Sequence, residues 1–357
     1  MSESGHVRLD ALRKEYDDTV AVNGIDLEVQ SGEFFTLLGP SGCGKSTTLR
    51  CIAGLETPTN GDVRISGQRV TSLPANKRDT SIVFQEWALF PHMTVGENVS
   101  FGLEMRDVPK AEREERVESV LELVELDGYQ DRDADALSGG QKQRVAMARS
   151  IVQEPDVLLL DEPLASLDRA LRERLQIELK EIQEELGITF VHVTHDQEEA
   201  LTMSDRIAVM NDGQIEQVGE AMDLYEHPNT RFVASFLGET NLFEGRISRA
   251  DGRVVLAGDI DVTLVQDDGV DLTEGQNAAY TVRPESLRLG ADLAADNAWE
   301  GVVENAIYKG SRTLYEVDVG ERVLTVQFQR QQGVERFDEG EDVLIGFDSD
   351  DGELVLS

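Results

Sequence analysis

Nine consecutive residues restrict this chain more than any other feature: Gly39-Pro40-Ser41-Gly42-Cys43-Gly44-Lys45-Ser46-Thr47. Before them runs Phe34-Phe35-Thr36-Leu37-Leu38, an apolar stretch that reads as a buried strand. After them Leu49, Ile52, Ala53 and Leu55 are spaced for the inner face of a helix. Strand, glycine-rich turn and helix form the context that a phosphate-binding loop requires. Glycines at 39, 42 and 44 let the backbone curl until several N–H groups face one anion, and the helix start adds its positive dipole end. Lys45 can then reach the β- and γ-phosphates of a nucleotide, and the Ser46 hydroxyl can ligate Mg²⁺.

Further markers follow in order. Ser81-Ile82-Val83-Phe84 reads as a strand ending at Gln85. Leu137-Ser138-Gly139-Gly140-Gln141 precedes a basic helix that starts at Lys142, so its paired glycines offer N–H groups to an anion, or Ser138 is only a good N-cap. Val157-Leu158-Leu159-Leu160-Asp161-Glu162 is a continuous apolar run of the kind buried in a parallel sheet, closed by two carboxylates. Ligands of such sheets bind beyond the carboxyl ends of strands. There Asp161 can orient Mg²⁺ and Glu162 can take a proton from attacking water, unless the pair is a solvated turn. Ile188–Thr194 reads as another strand of the same sheet, with His195 at its end. Leu171, Leu175, Leu179, Ile182 and Leu186 trace a helix face that Gly187 terminates, and residues 110–127 form an amphipathic helix. Tyr16, in a polar turn, is either an exposed turn residue or a ring that stacks on a base.

Asp and Glu total 70 against 33 Lys and Arg, a formal net charge of −37 spread along the chain. Such a surface repels nucleic acid and anionic lipid. The periodic apolar segments argue against disorder, and a salt-accumulating, haloarchaeal cytoplasm accounts for the excess because salt screens self-repulsion. No apolar run has the ~18 residues of a membrane span, and residues 1–6 lack the basic-then-apolar pattern of a secretory signal. The only two cysteines, Cys43 and Cys51, read as reduced side chains, since a disulfide at Cys43 would obstruct the loop.

From about residue 240 helical periodicity gives way to short β-like segments, with Asp251-Gly252 and Asp351-Gly352 as hairpin-turn signals. The boundary is expected at 238–242, with a nucleotide-binding domain over 1–239 and an all-β barrel or sandwich over 240–357. Between Gln85 and Phe101 lie Trp87, Leu89, Phe90, Pro91, Met93 and Gly96, where proline and glycine are expected to interrupt any regular element. This cluster reads either as core or as an exposed socket for a partner's helix.

The ordered set of phosphate loop, Gln85, LSGGQ at 137–141, LLLDEP at 158–163, Ser166-Leu167-Asp168 and His195 resembles the ATPase subunit of ABC transporters. That resemblance implies an α/β P-loop NTPase core of RecA-like type, with a helical and an antiparallel β subdomain and a C-terminal OB-type (TOBE) β domain. It implies ATP with Mg²⁺ as ligands: Tyr16 stacking on adenine, residues 39–47 around the phosphates, and Ser46, Gln85 and Asp161 at the metal. Glu162 would polarise water with His195, Gln85 and Lys45 as catalytic partners. Ser138, Gly139, Gly140 and Gln141 would meet the ATP of a second copy in a head-to-tail homodimer, and Asp168 would communicate across it. Further implied partners are two integral-membrane permease subunits, with an extracellular solute-binding protein completing the complex, and a peripheral place on the cytoplasmic face of the membrane. Gly187–Phe190, Thr194–Arg206, Arg283-Pro284-Glu285 and Tyr308-Lys309-Gly310 resemble the spermidine/putrescine import class, although sugar, iron(III) and thiamine importers share much of this. The Glu86-Trp87 pair departs from the small or polar residues usual there. A soluble ABC ATPase acting on nucleic acid or ribosomes is the distant alternative, opposed by the acidity and by the lack of a coiled-coil insertion or tandem domain.

Overall fold

The computed structural model describes residues 4–165, 167–250, 253–265, 272–329 and 336–356. It divides into two compact units, Met1–Ala221 and Met222–Ser357. The first half of unit one contains β1 (Val7–Tyr16), β2 (Thr19–Val29), β3 (Phe34–Leu38), α1 (Lys45–Ala53), β4 (Asn60–Ile65), β5 (Gln68–Arg69), β6 (Thr80–Val83), α2 (Val95–Glu104) and α3 (Lys110–Leu123). It continues with α4 (Gly139–Ile151), β7 (Val157–Asp161), α5 (Arg169–Leu186), β8 (Thr189–Thr194), α6 (Gln197–Met203), β9 (Arg206–Asn211) and β10 (Gln214–Gly219).

These strands make an antiparallel sheet, β2-β1-β4-β5, and a six-stranded sheet, β10-β9-β3-β8-β7-β6, parallel except for β10. Strands β3, β7 and β8 are buried at every residue because alternate side chains enter two different cores. Phe34, Leu158, Leu160 and Phe190 join the helical layer of α2–α5. Phe35, Leu37, Val157, Leu159, Val191 and Val193 join α1 and the antiparallel sheet. A parallel sheet covered on both faces needs such continuous apolar strands, and β3-β8-β7-β6 places four carboxyl ends side by side.

Two expectations are corrected in this unit. Leu55 does not share the inner face of α1: Gly54, at φ 76°, caps the helix, and Leu55 beyond it is 48% exposed. Gly96 does not interrupt regular structure either. It lies in the first turn of α2, where Thr94 and Glu97 form a reciprocal capping box, and the Gln130 carbonyl approaches so closely that a Cβ at Gly96 would lie 3.1 Å from it.

The second unit opens with α7 (Ala221–Glu226) and α8 (Arg231–Phe236), followed by β11 (Asn241–Ala250), β12 (Arg253–Gly258), β13 (Val262–Leu264), β14 (Asn277–Val282) and β15 (Arg288–Gly290). β16 (Asn297–Tyr308), β17 (Arg312–Asp318), β18 (Val323–Gln329), β19 (Asp342–Phe347) and β20 (Gly352–Leu356) complete it. Two antiparallel sheets, β13-β12-β11-β14-β20 and β15-β19-β16-β17-β18, enclose one apolar core around Phe243, Tyr280 and Phe347. Strands begin at Asn241, within the expected boundary of 238–242, whereas the compact unit begins at Met222. The two helices join it because the Arg283 guanidinium donates to the carbonyls of Tyr225, Ala234 and Glu239. Asp351-Gly352 is not a hairpin: β19 pairs with β15 and β16, while β20 pairs with β14, so this turn carries the chain from one sheet to the other. Asp251-Gly252 lies outside the described residues.

Candidate active site

The phosphate loop leaves β3 and enters α1. Gly44 is the N-cap at φ 105°, and no side chain caps the first turn, so its N–H groups stay available to an anion. A Cβ at Gly44 would lie 2.3 Å from the Ala21 carbonyl, and one at Gly39 equally close to that of Met210, so both positions exclude a side chain. Lys45 is buried, and its ammonium folds back over the loop to donate to the carbonyls of Gly39 (2.7 Å) and Pro40 (2.9 Å). Pro40, Ser41, Gly42, Cys43 and Thr47 complete the cradle. Cys43 and Cys51 are both free and buried, as expected, and burial pushes the Cys51 thiol up to about 11.

At the end of β7, Asp161 accepts a hydrogen bond from the Ser46 hydroxyl (2.8 Å), and Arg50 lies 3.7 Å from its other oxygen. Glu162 follows at φ 48°, a left-handed conformation uncommon for a non-glycine residue. Its N–H donates to the Val193 carbonyl of β8 (3.0 Å), and its carboxylate meets His195 Nδ1 at 3.1 Å. Gln85 follows the end of β6 and is exposed. Lys45, Ser46, Asp161, Glu162 and His195 therefore converge at the carboxyl ends of β3, β7 and β8, with Gln85 at the neighbouring β6.

Tyr16 ends β1, 40% exposed, with the Lys14 ammonium 4.7 Å from its ring centroid. Desolvation raises its phenol pKa, while the Thr47 side chain and Lys14 pull the other way, which puts the ring beside the start of α1. The LSGGQ residues behave differently. Ser138 and Gln141 form a capping box at the start of α4, so the N-cap reading holds, and Gln141 donates to the Tyr129 hydroxyl (3.2 Å). Among the described residues no hydrogen bond or ion pair joins Ser138, Gly139, Gly140 or Gln141 to residues 39–47. Asp168 caps α5 through Leu171 N–H (3.1 Å). Ser166 lies outside the described residues.

Two arginines near this site escape a sequence reading. Arg149 of α4 donates to the carbonyls of Trp87 (2.8 Å) and Ala88 (2.7 Å), two consecutive residues at φ 58° and 48°. Arg172 of α5 bonds Leu167 and Asp196. Each lies in an amphipathic helix among other charges, and only its partners distinguish it from a solvated one. Trp87 packs against the helical core, its indole near Gly139, whereas Phe90 meets Phe101 in a tilted pair with ring centroids 4.8 Å apart.

Fold and site together define a nucleotide-hydrolysing P-loop protein with an appended β domain. Residues 22–165 match the ABC transporter family and residues 280–355 the TOBE domain. Spermidine/putrescine import ATP-binding protein PotA of Thermobifida fusca is 52% identical over 317 residues, 87% of this chain and 82% of that protein. The protein of the same name from Ruegeria pomeroyi is 46% identical over 348 residues, 94% of this chain and 93% of its own length. Among solved structures, cbiO1 of Clostridium perfringens, part of the ABC transporter complex cbiONQ, superposes with a TM-score of 0.57 at 32% identity, over 61% of this chain and 90% of that one. A dimeric ATP-binding cassette in a post-hydrolysis state with ADP and Pi gives a TM-score of 0.54 at 33% identity, over 60% and 98%. The chain belongs to the ABC transporter family, as one of its ATP-binding, ATP-hydrolysing subunits.

Proposed function

We propose that this chain energises polyamine import, of the spermidine and putrescine kind, by hydrolysing ATP at the cytoplasmic face of a membrane permease. The observation that supports the ATPase site is the convergence of Lys45, Ser46–Asp161 and Glu162–His195 at adjoining strand ends. The solute class rests on relatives at about half identity over most of the chain. In this reading residues 1–239 are the nucleotide-binding domain and 240–357 a regulatory β domain.

The arrangement suits in-line attack on a γ-phosphate. Entering phosphates take the Lys45 ammonium from the Gly39 and Pro40 carbonyls, which replaces two neutral acceptors with charged ones. Tyr16 stacks on the adenine. Ser46, Asp161 and Gln85 supply hard oxygen donors and fit Mg²⁺, which would neutralise charge on the β- and γ-oxygens. His195 Nδ1 lies 3.1 Å from the Glu162 carboxylate. Glu162, oriented by the imidazole, can accept a proton from water as the water oxygen bonds to phosphorus and the bond to ADP breaks. Ser138, Gly139, Gly140 and Gln141 lie at a helix start, and in this reading they complete the site of a second copy. Two ATP molecules then hold a head-to-tail homodimer closed until hydrolysis, with Asp168 at the dimer contact.

The groove of about 580 Å³ lined by Phe90, Phe101, Met105, Arg106 and Arg149 is proposed as the socket for a short permease helix. A solute-binding protein outside the membrane would complete the assembly of homodimer and two permease subunits. Among the described residues no helix is long and apolar enough to cross a membrane. The deciding experiment is uptake of labelled spermidine by cells that carry the chain or its E162Q variant. ATP-dependent uptake with the parent chain alone supports the proposal; equal uptake with both would overturn it.

A further inference from the structure

Glu162 and His195 follow different strands, and the loops that carry them continue into different helices. One side chain spans both loops. Arg172 lies in the first turn of α5, four residues beyond Asp168. Its Nη2 donates to the Leu167 carbonyl (3.1 Å), on the segment that runs from Glu162 to Asp168. Its Nη1 pairs with Asp196 (3.1 Å), and its Nε lies 3.8 Å from Glu199. The network closes around His195. Glu199 accepts the Thr194 hydroxyl hydrogen (2.7 Å), and Thr194 Oγ1 accepts from the Asp196 N–H (3.0 Å). Both neighbours of His195 in the chain are thereby anchored.

We infer that Arg172 is a positioning residue for ATP hydrolysis: its guanidinium locks the loop bearing Glu162 and Asp168 to the loop bearing His195. The planar fork is needed because its two Nη groups reach one acceptor on each loop, Leu167 and Asp196, while Nε faces the Glu199 carboxylate of α6, which a lysine ammonium on a flexible stem cannot do. A surface pair such as Arg169–Glu173 joins one turn of a helix to the next and constrains no loop. Glu199 differs in being 2% exposed. Burial pushes its carboxyl up, and Thr194 and Arg172 pull it back toward the charged form. Without Arg172 the pair Asp196 and Glu199 loses its cation, and the register of His195 on Glu162, now 3.1 Å, is no longer set from α5. Arg172 makes no hydrogen bond or ion pair with residues 39–47, so nucleotide affinity should be spared.

This inference rests on the proposed roles of Glu162 and His195. The test is steady-state ATP hydrolysis by the full chain as R172A, R172K, H195A and the double variant, each with a melting curve. R172A should lower kcat at least about tenfold while KM for ATP stays within about twofold. R172K should recover only a minor part of the lost rate. The double variant should be no slower than H195A alone, because residues that act through one another are not additive. An R172A or R172K protein with wild-type kcat would overturn the inference, as would multiplicative loss in the double variant. So would a fall in melting temperature large enough to explain the lost rate; should R172A not fold, R172K decides by the same criteria. H195A at wild-type rate would overturn the catalytic reading and this one with it. An inactive H195A beside a fully active R172A overturns the role of Arg172 alone.

Discussion

At the scale of single residues, the roles proposed for Glu162 in chemistry and for Lys45 in binding are separable. E162Q should bind ATP, accumulate as an ATP-bound dimer and lose about 10²–10⁴ of turnover, the usual worth of a general base. K45A should instead weaken nucleotide binding itself; equilibrium binding and single-turnover hydrolysis on both variants separate the effects. His192 presents a different case. It is fully buried, accepts or donates to Thr36 at 3.2 Å, and burial lowers its pKa to about 3 against a slight opposing pull from Asp196. Glu199 lies 3.7 Å from its Nε2, beyond hydrogen-bond distance, and that nitrogen has no hydrogen-bond partner among the described residues. Between pH 6.5 and about 3 the unfolded chain therefore binds a proton that the folded chain does not. The contribution to stability is full above pH 6.5 and declines as pH falls. Denaturant midpoints from pH 7.5 to 4.5 should drop, and H192Q should drop less steeply.

At the scale of elements, the segment from Gln85 to Phe101 divides in a way that neither reading of its composition alone describes. Trp87 is half-buried and packs on the helical cluster, and Arg149 holds its backbone in a left-handed turn. Phe90 and Phe101 face the groove, with Met105 at 65% exposure beside them. Truncation should follow this division. W87A is expected to cost at most about 3 kcal/mol, below the range of a fully buried aromatic because Trp87 is half-buried. F90A or M105E should keep the melting temperature within a few degrees yet lose association with the permease in detergent pull-down. The same loss of stability for all three would return the cluster to the core. Composition could not separate Trp87 from Phe90, because both are aromatic and three residues apart. The difference lies in which neighbour each side chain meets.

At the scale of the whole molecule, the net charge of −37 belongs to the entire chain. Salt screens such repulsion over about 8–10 Å at physiological strength and over less in multimolar KCl. The melting temperature should therefore climb from low to multimolar KCl, and a flat or falling profile would remove the halophilic reading.

Much of the active site was legible residue by residue. Phosphate nests, strand-ending carboxylates and helix caps are local devices, and their chemistry fits within a few consecutive residues. Phe34–Leu38, Val157–Asp161 and Thr189–Thr194 announced a sheet buried on both faces because each carries adjacent apolar residues, whose side chains point to opposite faces. Tertiary structure decided what depends on partners far apart in the chain. Strand order brings His195 to Glu162 across 33 positions, and Arg172 becomes a brace only where two loops meet it. Arg283 draws two helices into the β unit, and Asp351-Gly352 passes between sheets because β20 finds its hydrogen bonds on β14. A side chain's type limits which bonds it can make, but which partner it meets is set by the path of the backbone, and that path is chosen by the burial of the whole.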